Sequence, residues 1–195
     1  FGFSFVVLRM ANLPLALATV YLFHRILARF GVSQRNAFLG TIALGLSPAL
    51  FPLSTSFMTD MPGLFVLMLC AYMCQRAVLA SSARATVLWL VYAASLNLAL
   101  GTVRQTAWLG VLVMVPSTGW LLRKRKGVLL ASWGAACAGV IGVVGLIHWF
   151  SNRPYYFHDP ATGSEMLHDF LARRFVDELV KMFLCLFLLV LPLLA

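Results

Sequence analysis

The chain has 195 residues, of which 62% are hydrophobic and 11% charged, with a net charge of +9 and a mean hydropathy of +0.91. Soluble domains carry about 25% charged residues, so a water-soluble enzyme is excluded and a multi-pass membrane protein is expected. The positive balance does not point to nucleic acid, because no basic patch alternates with aromatics; it reads through the positive-inside rule instead.

A spanning helix needs about 20 mostly apolar residues. Seven spans are expected on that measure, at 8–27, 37–57, 62–80, 85–103, 105–122, 128–150 and 179–195. The fold class is all-α, a multi-pass transmembrane helical bundle forming one domain. Residues 8–150 are its six-span core, 151–178 an external loop, and 179–195 the start of a further span. The chain opens at Phe1 without an initiator Met and closes inside the apolar run 182–195. A parent protein extending in both directions is therefore expected.

The first span opens near Arg9, which sits beside the apolar stretch 1–8. Its guanidinium can snorkel to the headgroups or meet a lipid phosphate. Arg25, Arg29 and Arg35 follow that span; Arg76 and Arg84 flank the link at 81–85. Arg123-Lys124-Arg125-Lys126 follows the fifth span. Alternation puts these basic links on one face, which is cytoplasmic by the positive-inside rule. The run 123–126 is a topology determinant, with anionic-lipid binding as a second use. The opposite, external face receives all six acidic residues: Asp60, Asp159, Glu165, Asp169, Asp177 and Glu178. Arginine-rich, alanine-rich usage leans towards a bacterial plasma membrane; in a eukaryote the endoplasmic reticulum membrane is expected.

The interiors of spans two to six hold no Asp, Glu, Lys or Arg, which argues against a proton or ion relay through the bilayer centre. No internal repeat of the transporter kind is evident. Cys70 and Cys74 share a helix face at i, i+4, a spacing for packing rather than for redox or zinc chemistry.

Two polar interruptions fall on the external face. Asp60, in Thr59-Asp60-Met61-Pro62, is the only acidic residue before Asp159. It can cap the helix that follows, with Pro62 in the first turn where its missing N–H costs nothing. It can also hold a divalent metal, position an acceptor hydroxyl or assist proton transfer. Gly101-Thr102-Val103-Arg104-Gln105-Thr106 is the second cluster. Arg104 can grip a phosphate through parallel hydrogen bonds and stays charged at any pH. It can equally anchor a short turn at the headgroups, but Gln105 and Thr106 are unneeded for anchoring.

The last external loop carries Tyr155-Tyr156-Phe157-His158, followed by Asp159, and an amphipathic stretch at 165–181 suited to the membrane surface. His158 and Asp159 are weaker candidates, for an acceptor site; His168 is weaker still. No Walker A loop, nucleophile elbow, H-E-x-x-H or dinucleotide fingerprint appears.

The order of these motifs resembles the class C polytopic glycosyltransferases, especially the family 39-like enzymes. That group includes protein O-mannosyltransferases and the aminoarabinose transferase acting on lipid A. The resemblance runs over roughly residues 5–125: Leu8-Arg9-Met10-Ala11-Asn12, then Ser47-Pro48, then Met58-Thr59-Asp60-Met61-Pro62, then Val103-Arg104-Gln105-Thr106. The Arg-Gln-Thr stretch also resembles the dolichyl-phosphate-glucose glucosyltransferase of N-glycan assembly, but Thr-Asp-Met-Pro fits the family 39-like pattern better.

The resemblance implies an inverting transfer from a polyprenyl-phosphate-linked sugar to a protein, lipid or glycan acceptor, among membrane lipids and without nucleic acid. It implies that Asp60 is the second acidic position of the family, arranging the acceptor or a metal. Arg104, Gln105 and Arg9 would hold the donor phosphate. The catalytic base would be an Asp on an external loop before the first span seen here. The alternative is a transporter or flippase for a lipid-linked substrate, with Asp60 and Arg104 as gate residues.

Overall fold

A computed structural model describes residues 5–48, 50–55 and 59–153. Every regular element among them is helical: α1 (Phe5–Arg29), α2 (Gln34–Gly45), α3 (Leu50–Thr55), α4 (Asp60–Val78), α5 (Ala83–Leu100), α6 (Val115–Leu121) and α7 (Lys126–Ser151). A 3-10 turn (Gln105–Trp108) and a π-helical segment (Gly110–Met114) precede α6.

Four helices are long and apolar enough to cross a membrane: Arg9–Arg29 within α1, Asp60–Val78, Ala83–Leu100 and Lys126–Ser151. They are compatible with an integral membrane protein. Leu17, Leu130 and Ile141 are 73–74% exposed, as lipid-facing side chains would be and as water would penalise.

The expectation of about seven spans is corrected to these four among the described residues. The span expected at 37–57 is two short helices, α2 of 12 residues and α3 of 6. Pro48 explains the break. It lacks an N–H and keeps the preceding residue out of the helical region. Ser47 then starts the next helix, its Oγ accepting from the Leu50 N–H at 3.1 Å. The span expected at 105–122 is the 3-10 turn, the π-helical segment and α6 in succession, none of them a full α-helical span.

Helix α4 is the hub, packed against both α1 and α5. Cys70, Cys74, Leu90, Ala93, Val111 and Val115 form the main buried cluster around it, so the two cysteines pack as their spacing suggested. Ala16, Leu50 and Met61 form a second cluster at the start of α4. Gln75 Nε2 donates to the Ile26 carbonyl at 2.9 Å near the other end. Helices α1 and α4 therefore run in the same direction, and α2 and α3 bring the chain back between them.

The basic links gather at the end marked by that Gln75 bond. Arg125 donates to the Ala80 carbonyl at 3.3 Å and the Thr86 hydroxyl at 3.4 Å. Arg76 lies 4.8 Å over the Trp89 ring and Arg29 5.0 Å over that of Tyr72. The start of α4 and the link after α5 lie at the opposite end. The expected separation of basic links from Asp60 and Arg104 is thus a property of the fold.

Helix α7 buries one stripe, Val128, Ser132, Ala136, Gly139 and Val143, whose spacing keeps it on one side of the helix. Small residues let it approach closely. Gly119 of α6 faces the Ser132 side chain with no room for a Cβ. Gly139 sits where a Cβ would come within 2.5 Å of Val111.

Phe1–Trp149 is one compact unit and Phe150–Ala195 another. His158, Asp159, the stretch 165–181 and the span expected at 179–195 lie outside the described residues.

Candidate functional site

The site forms where the first turn of α4 meets the link between α5 and the 3-10 turn. Thr59 occupies the N-cap position of α4 without a side-chain capping bond, and Asp60 is the first helical residue. The carboxylate thus sits at the positive end of the helix dipole. Pro62, also in the first turn, has no N–H to leave unsatisfied.

The link is shaped by its own hydrogen bonds. Helix α5 closes with the Gly101 N–H on the Asn97 carbonyl at 2.9 Å. The Thr102 hydroxyl donates to the Ala99 carbonyl at 2.7 Å. Arg104 is extended, with φ −147° and ψ 115°, and its carbonyl accepts from the Ala107 N–H at 2.9 Å to begin the 3-10 turn. The turn is pinned from inside: Trp108 is buried and its Nε1 donates to the Leu98 carbonyl at 3.2 Å. Its ring fills the space beside Gly101 that any Cβ would need.

This geometry sends Arg104 back over α4. A terminal guanidinium nitrogen of Arg104 lies 2.6 Å from a carboxylate oxygen of Asp60, an ion pair. The Arg104 side chain is 45% exposed and that of Asp60 27%. At such exposure the pair contributes about 1 kcal/mol or less to stability. Its value therefore lies in holding two opposite charges at a defined place. The pair occupies one guanidinium nitrogen, so the remaining N–H groups of Arg104 stay available to a second anion.

Of the expected site residues, the structure brings together Asp60 and Arg104, 44 positions apart in sequence. Gln105 is exposed at the start of the 3-10 turn and makes no hydrogen bond to either. Arg9 is exposed on α1, seven residues before Ala16, the residue that packs with Met61. At about 1.5 Å per residue that places it roughly 10 Å outward from the level of Asp60. Arg9 therefore lies at the same end but outside the ion pair. No group of three or more His, Cys, Asp or Glu side chains is placed to hold a metal ion among the described residues. A divalent cation at Asp60 would compete with Arg104 for the same carboxylate.

Gly63 belongs to the site although nothing in the charge pattern singled it out. A Cβ there would lie 2.9 Å from Arg104 Cγ, 3.1 Å from its Cβ and 3.4 Å from the Thr106 hydroxyl. Gly63 is the bare patch of helix over which the arginine stem lies. The available signal was its place one turn after Thr59, on the side of α4 that begins at the polar residues. Gly63→Ala should improve helix propensity yet push the Arg104 stem aside, because stem atoms cannot swing away as a tip can. We expect the propensity gain of about 1 kcal/mol to be offset by that displacement, so that the thermal melt moves little. A large loss of stability would show that the stem has no room to move.

The chain matches no protein-family model, and no curated protein and no solved structure is significantly similar to it.

Proposed function

We propose that this chain is part of a membrane glycosyltransferase. It would move a sugar from a polyprenyl-phosphate donor to a hydroxyl of a protein, lipid or glycan acceptor. The reaction would take place on the external face of a plasma membrane, bacterial by residue usage. The observation that carries this reading is the Asp60–Arg104 pair, a carboxylate and a guanidinium held together at the end of the bundle away from the basic links. The sequence resemblance, which draws on the motifs around these same two residues, agrees with it.

In this reading the donor phosphate approaches Arg104 and takes over the guanidinium from Asp60. Phosphate is then neutralised by a group that cannot lose its charge, which favours its departure. The bond from the sugar anomeric carbon to the phosphate oxygen breaks, and polyprenyl phosphate leaves with the electron pair. The acceptor oxygen forms the new bond from the opposite side and gives its proton to a general base, which the resemblance would place on an external loop before the first span. Asp60, released from Arg104, accepts a hydrogen bond from a neighbouring N–H or O–H of the acceptor and orients it.

The second reading, a gate in a flippase for a lipid-linked substrate, also draws on this pair, since a closed ion pair can open around a passing headgroup. One experiment separates the two. The full protein is reconstituted in vesicles with a polyprenyl-phosphate sugar, and free polyprenyl phosphate is measured alongside transbilayer movement of the donor. Release of polyprenyl phosphate with an acceptor product supports transfer. Movement without any covalent product sinks it in favour of the flippase.

A further inference from the structure

The basic end of the bundle carries charge that no acidic side chain among the described residues balances. Arg25, Arg29, Arg35, Arg76, Arg84 and the run 123–126 lie there, and the one acidic residue of the described part, Asp60, is paired at the other end. Arg25, Arg29 and Arg76 lie over aromatic rings, and Arg125 donates to the Ala80 carbonyl.

Arg123 and Lys124 sit at the turn between α6 and α7. They are exposed and rim a groove of about 430 Å³ whose wall is Trp120 and Leu121 and whose far side is Arg125. Arg123 stands 5.5 Å over the Trp120 ring. Arg125 is anchored at the back by Ala80 and Thr86, so one side of the groove is fixed.

The same Trp120 and Leu121 also wall a second groove, of about 500 Å³, lined by Leu112, Pro116, Ser117 and Trp133. The two grooves adjoin across Trp120 and Leu121, one beside the cations and the other mostly apolar, next to α6 and α7. Trp120 is 56% exposed and Leu121 75%, so the described residues leave their shared wall open.

A site that is cationic at the membrane surface and apolar beneath fits an amphiphile rather than a dissolved anion. We propose that this groove binds an anionic phospholipid, its phosphate between Arg123 and Lys124 and one acyl chain beside Pro116 and Trp133. The site lies at the end opposite Asp60 and Arg104 and does not rest on the transferase reading. It holds a headgroup by charge at the surface and by the ring beneath Arg123. A zwitterionic lipid would be held less well, because its own cation meets the same cluster.

The test is native mass spectrometry of the full protein, released from micelles containing equal amounts of phosphatidylglycerol and phosphatidylcholine. The wild type should retain phosphatidylglycerol in preference. Arg123→Gln with Lys124→Gln should lower that preference about fivefold or more. Ser117→Trp leaves every charge in place, fills the apolar groove and should lower retention of both lipids. Equal retention of the two lipids by the wild type, or an unchanged preference in the double variant, would overturn the proposal. So would unchanged retention in Ser117→Trp, stronger retention of polyprenyl phosphate than of phosphatidylglycerol, or displacement of the lipid by millimolar inorganic phosphate.

Discussion

Arg104→Ala should lower the proposed glycosyl transfer by about a hundred- to a thousandfold, the usual effect of removing one preorganised donor to a developing negative charge. Folding should survive. Arg104 is 45% exposed, and the Asp60 left behind is at a helix N-terminus where a lone carboxylate is tolerated. Arg104→Lys keeps the charge but not the planar fork, and an intermediate loss of roughly tenfold is expected. The informative variant is the exchange Asp60→Arg with Arg104→Asp. If the pair serves only to tie α4 to the link, the exchange restores it and activity returns. If Arg104 meets a phosphate, activity stays lost even where stability recovers. Full turnover in Arg104→Ala would end the transferase reading of this site. The measurements are release of polyprenyl phosphate and a thermal melt on the same preparations.

The second large effect concerns stability. Gly119→Ala should destabilise the bundle by about 1–3 kcal/mol, the usual cost of overpacking a tight contact. The new methyl would fall on the Ser132 hydroxyl and its Cβ. Ser132 has little freedom to retreat: it is buried and its hydroxyl donates to the Leu129 carbonyl at 2.8 Å. The two helices would have to part along the stripe that α7 buries. Ser132→Gly in the same chain removes both obstructing atoms and should recover most of the loss, beyond the helix-propensity penalty of roughly 1 kcal/mol that a glycine carries by itself. A double variant no better than Gly119→Ala would mean that the close contact lies elsewhere. Melting in detergent, read by retention of the monodisperse species, checks both variants.

The long apolar helices were legible because length and composition alone define them. Helices α1, α4, α5 and α7 fall where spans were expected, to within a few residues. The missed break at Ser47 and Pro48 was also written in the sequence, as an N-cap residue followed by proline, but hydropathy averages over such signals. The stretch after Arg104 was not legible. Its turn depends on Trp108 reaching the Leu98 carbonyl and on Gly110 lying against the buried Asn97 side chain, contacts that no local pattern encodes. The sidedness of Asp60 and Arg104 followed from alternation, even though the number of spans did not hold. Their pairing did not follow, because it depends on the extended backbone of Arg104 and on the bare surface at Gly63. Nothing within either motif specifies that surface.

The π-helical segment Gly110–Met114 has a consequence for rotational phase. Each of its bonds spans one residue more than in an α-helix, so the chain carries one residue that a regular helix would not need. Were the same five residues to run as regular α-helix, everything on their N-terminal side would be displaced by one residue of helix, about 100° and about 1.5 Å, relative to α6. Trp108 would leave Gly101, and Arg104 would point away from α4. The wider turn absorbs the surplus residue, as a pleat takes up extra cloth, and so keeps the bearing of the guanidinium.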